Sequence, residues 1–481
     1  MPTPTFLERS FRVFRRAALA VAGAALVAGC SADRLAVPSF NEPAVGPADR
    51  ALLQNLASGI LGELRGGMPG LVSNTGIFGR ESYNYTGSEP RNTSFFLAVF
   101  PLDNSGFTNG QWTPRYRNMR NAVNLITIAD GAAFLSDAEK NAVRGFANTM
   151  RALDLFYVIA TRDTLGAPVA IDAETNAPQP FVSRDSVYRF IGGLLDQAAT
   201  QLTTAGATPF PFVLPAAGWS ANGTFNTPAT FRQFNRALAA RVLVYRATLG
   251  CGTPCHTQAL AALGESFITT SATTPAALRA GPLNIFSTAS GDLTNGVSPL
   301  VNPDIVAHPS FRTDAQLRGD GTRDLRFTSK TATLAIPRNP PGVPGIPTDL
   351  TFTIYPAQDS PIPIIRNEEL ILLRAEANIG LGNLPTALTD LNFVRTNSGG
   401  LPALASLPDQ NAAITALLYE RRYSLMFEGH RWFDVRRYGR ITSLPLDVPQ
   451  HFRVTVMPVP QDECTFRALT GTPALRGPGC P

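Results

Sequence analysis

What the chain lacks narrows its function before any motif is read. Beyond Arg16 it has no run of lysine and arginine longer than two. Nucleic-acid binding needs a dense basic face that displaces counterions from phosphates, so that class is disfavoured. The nominal net charge of +5 belongs mostly to the amino terminus: residues 1–29 hold four arginines and one glutamate, +3, which leaves +2 for the rest of the chain. Histidine is scarce. The four residues, His256, His308, His430 and His451, include no pair at i,i+4, and neither a nucleophile elbow nor a phosphate-binding glycine loop ending in lysine is present. These gaps remove the familiar zinc-hydrolase, serine-hydrolase and nucleotide-binding signatures.

Cysteine is also sparse, with five in 481 residues, and the first is the most informative. Arg9, Arg12, Arg15 and Arg16 precede a charge-free apolar run from Ala17 to Ala28, followed by Gly29-Cys30. A basic stretch, a short apolar core and small residues before a cut site describe a secretory signal peptide. The apolar run is shorter than the roughly 20 residues of a membrane-spanning helix. A cysteine directly after small residues is the lipobox pattern, so Cys30 is expected to be lipidated and to begin the mature protein. Anchoring that lasts takes about two acyl chains. Asp33 is not adjacent to Cys30, which favours an outer-membrane address. Four cysteines then remain, Cys251, Cys255, Cys464 and Cys480. In an oxidising compartment they allow two disulfides in three connectivities, of which the local pairs are simplest. Cys251, Cys255 and His256 make half a metal site at most, because no second pair has suitable spacing. No metal or cofactor is expected.

The 44% apolar composition is that of a folded globule. Residues 31–47, with Pro38, Pro43 and Pro47, read as an extended tether. Helical periodicity follows over about 48–65, 112–130, 136–161, from Ser183 or Asp185 onward, 228–249, 366–381, 385–397 and 409–428. Ser136 with Glu139 is a capping box. Between these lie long segments without periodicity, 66–110 and 270–360, and loops of that size often carry function. The pattern predicts a mostly α, tetratricopeptide-like helical-repeat scaffold (α-solenoid-like) with long irregular loops and little β. One ligand-binding domain over 48–481 is expected.

The C-terminal residues carry a resemblance. Glu420-Arg421-Arg422-Tyr423-Ser424-Leu425-Met426-Phe427-Glu428-Gly429-His430-Arg431-Trp432-Phe433-Asp434-Val435-Arg436-Arg437 resembles the signature of the SusD/RagB family. Arg374-Ala375-Glu376-Ala377 through Leu391-Asn392-Phe393-Val394-Arg395 is similar to that family's helical hairpin, so the signature region runs over 366–440. Trp112 to Asn124, Glu139 to Pro168 and Met457-Pro458-Val459-Pro460-Gln461 resemble further family segments, the last a closing strand. Thr396-Asn397-Ser398-Gly399 departs from the usual Arg-Ala-Gly. The resemblance implies an outer-membrane, cell-surface lipoprotein that captures a glycan, oligosaccharide or peptide. It also implies delivery to a TonB-dependent, SusC-like outer-membrane transporter, with variable loops as the binding face.

The residues themselves argue against catalysis. Glu420, Glu428 and Asp434 are the best carboxylates for glycosidase work, which needs two about 5–9.5 Å apart. On one helix, Glu420 and Glu428 stand roughly 12 Å apart. Arginines surround them, and nearby cations depress a carboxylate pKa where a general acid needs it raised. A structural ion-pair network of Glu420, Arg421, Glu428, Arg431 and Asp434 is the better expectation, with Trp432 and Phe433 in the core. Asp320-Gly321-Thr322-Arg323-Asp324 reads as a turn rather than a calcium loop. Two rival readings stay open, a lipid-anchored glycoside hydrolase and a helical-repeat scaffold for envelope proteins. For ligand contact, the aromatics of the irregular segments are the candidates. Tyr83 and Tyr85 share one face if extended, Trp219 sits in a turn-rich loop, and Asp292 to Asn295 offers hydrogen bonds. A surface cleft built on Tyr83, Tyr85 and Trp219 is expected.

Overall fold

Helices start where short polar side chains satisfy the first free amides. The structure, a computed structural model, describes residues 48–171 and 177–480. Cys30, the leader and the tether lie outside the described residues, and the described helices and strands all belong to the unit Asp49–Pro481. Helices of eight residues or more are α1 (Arg50–Gly66), α2 (Met68–Phe78), α3 (Arg91–Ala98), α4 (Thr113–Gly131), α5 (Asp137–Arg162), α6 (Arg184–Ala205), α7 (Pro228–Arg246), α8 (Thr253–Gly264), α9 (Asn367–Gly380), α10 (Leu384–Asn397), α11 (Gln410–Ser424) and α12 (Gln461–Leu469). Asp49 caps α1, Ser136 and Glu139 form the reciprocal box ahead of α5, Ser183 caps α6, Thr227 caps α7 and Asp409 caps α11.

Sequence neighbours pack together, as a helical repeat requires. α4 packs on α5, α5 on α6, α6 on α7 and α7 on α8; α9, α10 and α11 pack on one another, and α7 and α8 both touch α9. α5 is buried along most of its length. One hydrophobic cluster runs from Leu53 to Cys464, and a smaller one lies under α9–α11, where Ala375 and Ala387 let the hairpin close tightly. The mostly α, tetratricopeptide-like architecture read from the sequence is the one found. The strands are short: β1 (Ser82–Asn84), β2 (Leu283–Asn284), β3 (Ile305–Ala307), β4 (Thr331–Arg338), β5 (Thr348–Phe352) and β6 (Ile362–Pro363). They make one antiparallel sheet in the order β1-β3-β5-β4 and a separate β2-β6 pair. Disulfides join Cys251 to Cys255 and Cys464 to Cys480. The first bridge takes up both thiols of the Cys251, Cys255, His256 motif, and His256 packs against the backbone of Gly380.

Three local expectations change. The segment 66–110 is not irregular throughout, because it contains α2, β1 and α3. Gly67 keeps an ordinary right-handed conformation, φ −80° and ψ −12°, so the glycine pair joins α1 to α2 instead of ending helical structure. α2 buries Leu71, Val72, Thr75, Gly76, Ile77 and Phe78 together, which erases the periodic signal of a half-exposed helix. The last long helix stops at Ser424, not at residue 428. Phe427 (φ 54°) and Gly429 (φ 88°) then turn the chain into the short helix Arg431–Arg437. A left-handed phenylalanine costs roughly 1–2 kcal/mol. It is held by a parallel stack on Phe352 at 4.0 Å and by a Tyr355 hydroxyl that donates to its carbonyl at 3.1 Å. Finally, residues 451–460, where a closing strand is expected at 457–461, form no strand.

Candidate functional site

The three aromatics expected in a cleft lie inside the protein. Tyr83 and Tyr85 do share a face, with rings stacked at 5.0 Å, but they are 0% and 4% exposed. The Tyr83 hydroxyl donates to Asp447, and the Tyr85 hydroxyl donates to the Ile346 carbonyl at 2.7 Å. β1 is paired to β3 on one edge, and the segments carrying Ile346 and Asp447 cover its aromatic face. Trp219 is 2% exposed, because Phe231 and Phe234 of α7 receive it at 5.4 Å each. These residues are therefore corrected from ligand platform to core. Asn295 is buried too and donates to the Ser360 carbonyl at 2.8 Å, while Asp292 pairs with Arg65.

The charged signature forms a buried lattice of ion pairs. Glu420 receives Arg326 at 2.6 Å and Arg395 at 2.9 Å. Asp434 receives Arg421 at 2.8 Å and Arg437 at 2.9 Å. Glu428 accepts from both Nε and Nη2 of Arg366 at 3.0 Å. Burial would raise the Asp434 carboxyl, but Arg421 and Arg437 hold it below the ordinary carboxylate range. Arg431 is the exception: its Nε donates to the Gly79 carbonyl at 3.2 Å, and it makes no ion pair among the described residues. It belongs to the backbone packing of α2, not to the network. Glu428 lies beyond the end of α11, so the one-helix spacing to Glu420 does not apply.

A second polar cluster has no counterpart in the sequence pattern. His308 bonds Ser310 Oγ through Nδ1 at 2.7 Å and Asp447 through Nε2 at 3.1 Å. The order Ser–His–Asp imitates a hydrolase triad. Arg422, however, donates to Ser310 Oγ at 2.7 Å, and His308 and Asp447 are both buried. A nucleophile needs an open face and a substrate position beside it; this serine has its lone pair engaged. The cluster pins the 444–452 segment to β1 and β3.

A large cavity lies on the other side of that segment. It measures about 880 Å³ and is bounded by residues 100–104, the run 452–459, α12 and Pro478-Gly479. Volumes of this order are usual for ligand pockets. Its floor is rigid for local reasons. The Phe452 amide bonds the Leu97 carbonyl at 2.8 Å, the Trp432 indole donates to the Val454 carbonyl at 2.7 Å, and the Met457 amide bonds the Thr161 carbonyl at 2.9 Å. The Cys464–Cys480 bridge ties the C-terminal wall to α12. Phe100 stands at the rim, 78% exposed, edge-on to Phe452 at 5.2 Å. Asp103, Asn104, Arg453, Thr455, Gln461 and Thr465 supply polar groups around this apolar surface. Among the described residues, Asp103 is the one carboxylate in the lining, whereas acid–base glycoside hydrolysis takes two. The described lining therefore does not supply the pair of carboxylates that such cleavage uses. The pattern that singles out Trp219, a large aromatic in a turn-rich loop, applies equally to Phe100 in Phe100-Pro101-Leu102-Asp103-Asn104.

Comparison with known proteins agrees with this architecture. Residues 351–465 match the model of the SusD family, a span that includes the signature and the 452–459 floor. The SusD-like protein P38 of Formosa agariphila is 34% identical over 93 residues, covering 18% of this chain and 18% of that protein. The alignment thus spans under a fifth of that relative's length. A SusD superfamily protein from Bacteroides vulgatus superposes with a TM-score of 0.66 at 14% identity, over 89% of this chain and 98% of the other. Surface glycan-binding protein A from Bacteroides uniformis gives a TM-score of 0.66 at 16% identity, over 89% and 99%. At these identities the structural likeness is one of fold.

Proposed function

We propose, from the premise that this chain belongs to the SusD/RagB family, that it is a surface glycan-binding protein which holds an oligosaccharide in the groove beside Phe100 and hands it to a TonB-dependent, SusC-like transporter. It is a binding protein rather than an enzyme. The observation that carries the site is an aromatic ring 78% exposed at the mouth of a cavity of about 880 Å³. Sugar rings present an apolar face of C–H groups that stacks on such a ring, while neighbouring amides and carboxylates fix the hydroxyls. Asn104, Gln461 and Asp103 stand where that second role is needed. A helical scaffold under the groove keeps it preformed, which lowers the ordering cost of binding. Lipidation at Cys30 would hold the protein at the outer membrane.

Glycan-affinity electrophoresis against a polysaccharide panel, followed by calorimetry, tests the site. Wild type should bind at least one oligosaccharide, and Phe100→Ala should lose that binding while melting normally; equal binding by the variant would move the site elsewhere. For the partner, mild-detergent extraction at native expression should recover the chain with a large outer-membrane barrel. Recovery free of any barrel would favour the envelope-scaffold reading. Cys30→Ala should abolish metabolic labelling with a fatty acid and release the protein from the membrane fraction.

A further inference from the structure

Two loops meet the start of α1. One, residues 132–136, joins α4 to α5; the other follows α6 from Gly206 onward. Arg50, in the first turn of α1, lies over the Phe134 ring at 5.9 Å and pairs with Glu139 of α5 at 2.6 Å. One turn further along α1, the Gln54 side chain donates to the Val213 carbonyl at 3.1 Å and accepts from the Val213 amide at 2.8 Å. Phe212 and Leu214 are buried on either side, so Val213 is held outward, 75% exposed. Phe134 is 42% exposed. Residues 132–136 and 206–215 contain no charged side chain. Around them Arg50 and Lys140 offset Asp137 and Glu139, and the Asp49 carboxylate is taken up as the α1 cap. The scaffold therefore presents two exposed apolar side chains at one end, on loops without charge, and spends the Gln54 amide to hold one of them there.

We infer that this end of the scaffold is a docking face for the lipid bilayer itself, with Phe134 and Val213 entering the boundary between headgroups and acyl chains. Where the chain leads is what selects a bilayer over a protein. Ala48 runs directly into α1 and lies 18 residues after Cys30. On the reading that Cys30 is lipidated, on which this inference rests, the face stands no more than about 60 Å from the anchor. A tie of that length makes the second contact intramolecular, at an effective concentration on the order of millimolar, so two apolar side chains suffice where they would fail from free solution. Interfacial segments bind by burying apolar groups at the headgroup boundary, with basic residues adding attraction to anionic lipid. Here the charges balance, so the contact is apolar and salt leaves it unchanged. Gln54 acts as a positioning residue for Val213.

The test uses vesicles of phosphatidylethanolamine and phosphatidylglycerol, doped with a phosphatidylcholine that carries a diazirine on its acyl chain. The chain from Cys30 onward, which includes every described residue, is coupled to a maleimide lipid through Cys30, the other four cysteines being bridged. Docking is then read whether or not a cell acylates Cys30, and fatty-acid labelling reads that step separately. After photolysis, lipid adducts should concentrate on the peptides holding Phe134 and Val213, at least about ten-fold above those holding Ile336 and Leu469, which are more exposed still. Phe134→Ser combined with Val213→Ser should melt normally and lower these adducts at least about ten-fold. Gln54→Ala should lower the Val213 adduct, and it decides alone should the double variant fail to fold. Absence of adducts at Phe134 and Val213, an even spread over all exposed apolar residues, or adducts that persist in the variants overturns the inference. Loss of the adducts when salt is raised to about 0.5 M overturns the apolar assignment.

Discussion

The C-terminal signature and the floor of the groove beside Phe100 lie close in sequence, and signature and groove are opposite in character. Residues 420–437 place Glu420, Asp434 and Glu428 against arginines recruited from positions 326, 366, 395, 421 and 437, all buried. The groove carries one carboxylate among the described residues, an exposed ring and a floor of chain with no assigned helix or strand. The part most recognisable as a family signature is a device for locking helices together. The part proposed to meet a ligand is irregular and carries little that identifies it. A signature rich in acids and arginines invites a catalytic reading, and burial is what overturns it: a fully paired, desolvated carboxylate has neither the access nor the raised pKa that acid catalysis demands.

The contrast can be broken most sharply in the lattice. Asp434→Ala leaves Arg421 and Arg437 buried without that counter-charge and should destabilise the fold by about 3–5 kcal/mol. Denaturant titration measures it, and glycan affinity per folded molecule should stay at the wild-type value. A normal melting curve with lost binding would place function in the signature after all.

Glu81 offers a smaller effect of opposite sign. Burial pushes its carboxyl up to about 7, one oxygen has no partner among the described residues, and Phe427 bonds the other at 3.3 Å. A folded pKa above the unfolded value means that the folded state holds the extra proton between about 4.5 and 7. Its stabilising share is therefore complete below that window and is lost as pH rises through 7. Glu81→Gln should match wild type near pH 4 and exceed it by about 2–3 kcal/mol at pH 8, at 1.36 kcal/mol per unit. The variant-minus-wild-type difference is the readout, because buried His308 and His451, whose pKa values burial lowers, tilt both curves the other way. A difference independent of pH would remove Glu81 as the titrating group.

On the groove side, Phe100→Ala should cost about 1–3 kcal/mol of oligosaccharide affinity, the scale of covering one large apolar side chain. Its effect on stability should remain within about 0.5 kcal/mol, as is usual for exposed positions. The smallest effect sharpens the correction made for the buried tyrosines. Tyr83→Phe removes one hydroxyl from Asp447 and should lower stability by about 1 kcal/mol while binding is unchanged. Loss of binding in that variant would return Tyr83 to the site.

Sequence reading did best where the physics is local. Ser136 with Glu139, Ser183 and Asp409 mark helix starts because a cap acts within three residues, and α4 and α6 follow from periodicity of one buried face. It failed at α2, which is buried almost all round, and at the stop of α11, where Phe427 adopts a conformation that only its distant partners Phe352 and Tyr355 sustain. It also failed for Tyr83, Tyr85 and Trp219. Each sits in a segment that looks exposed, and each is covered by chain away from it in sequence: Asp447, Ile346, and Phe231 with Phe234.

By itself, then, the amino-acid order determined the periodic helices of the scaffold, though not α2, α3, α8 or α12, together with the scaffold class and the composition of the charged signature, since caps, periodicity and charge depend on near neighbours. Tertiary structure alone decided which aromatics meet solvent, because exposure is settled by what folds over a residue. It set Phe100 at an open rim and closed Trp219 against α7. It also decided that Arg65 Nε and Asn284 Nδ2 would be buried without hydrogen-bond partners among the described residues. Hydrogen-bond satisfaction is a property of the assembled interior, and no local pattern encodes it.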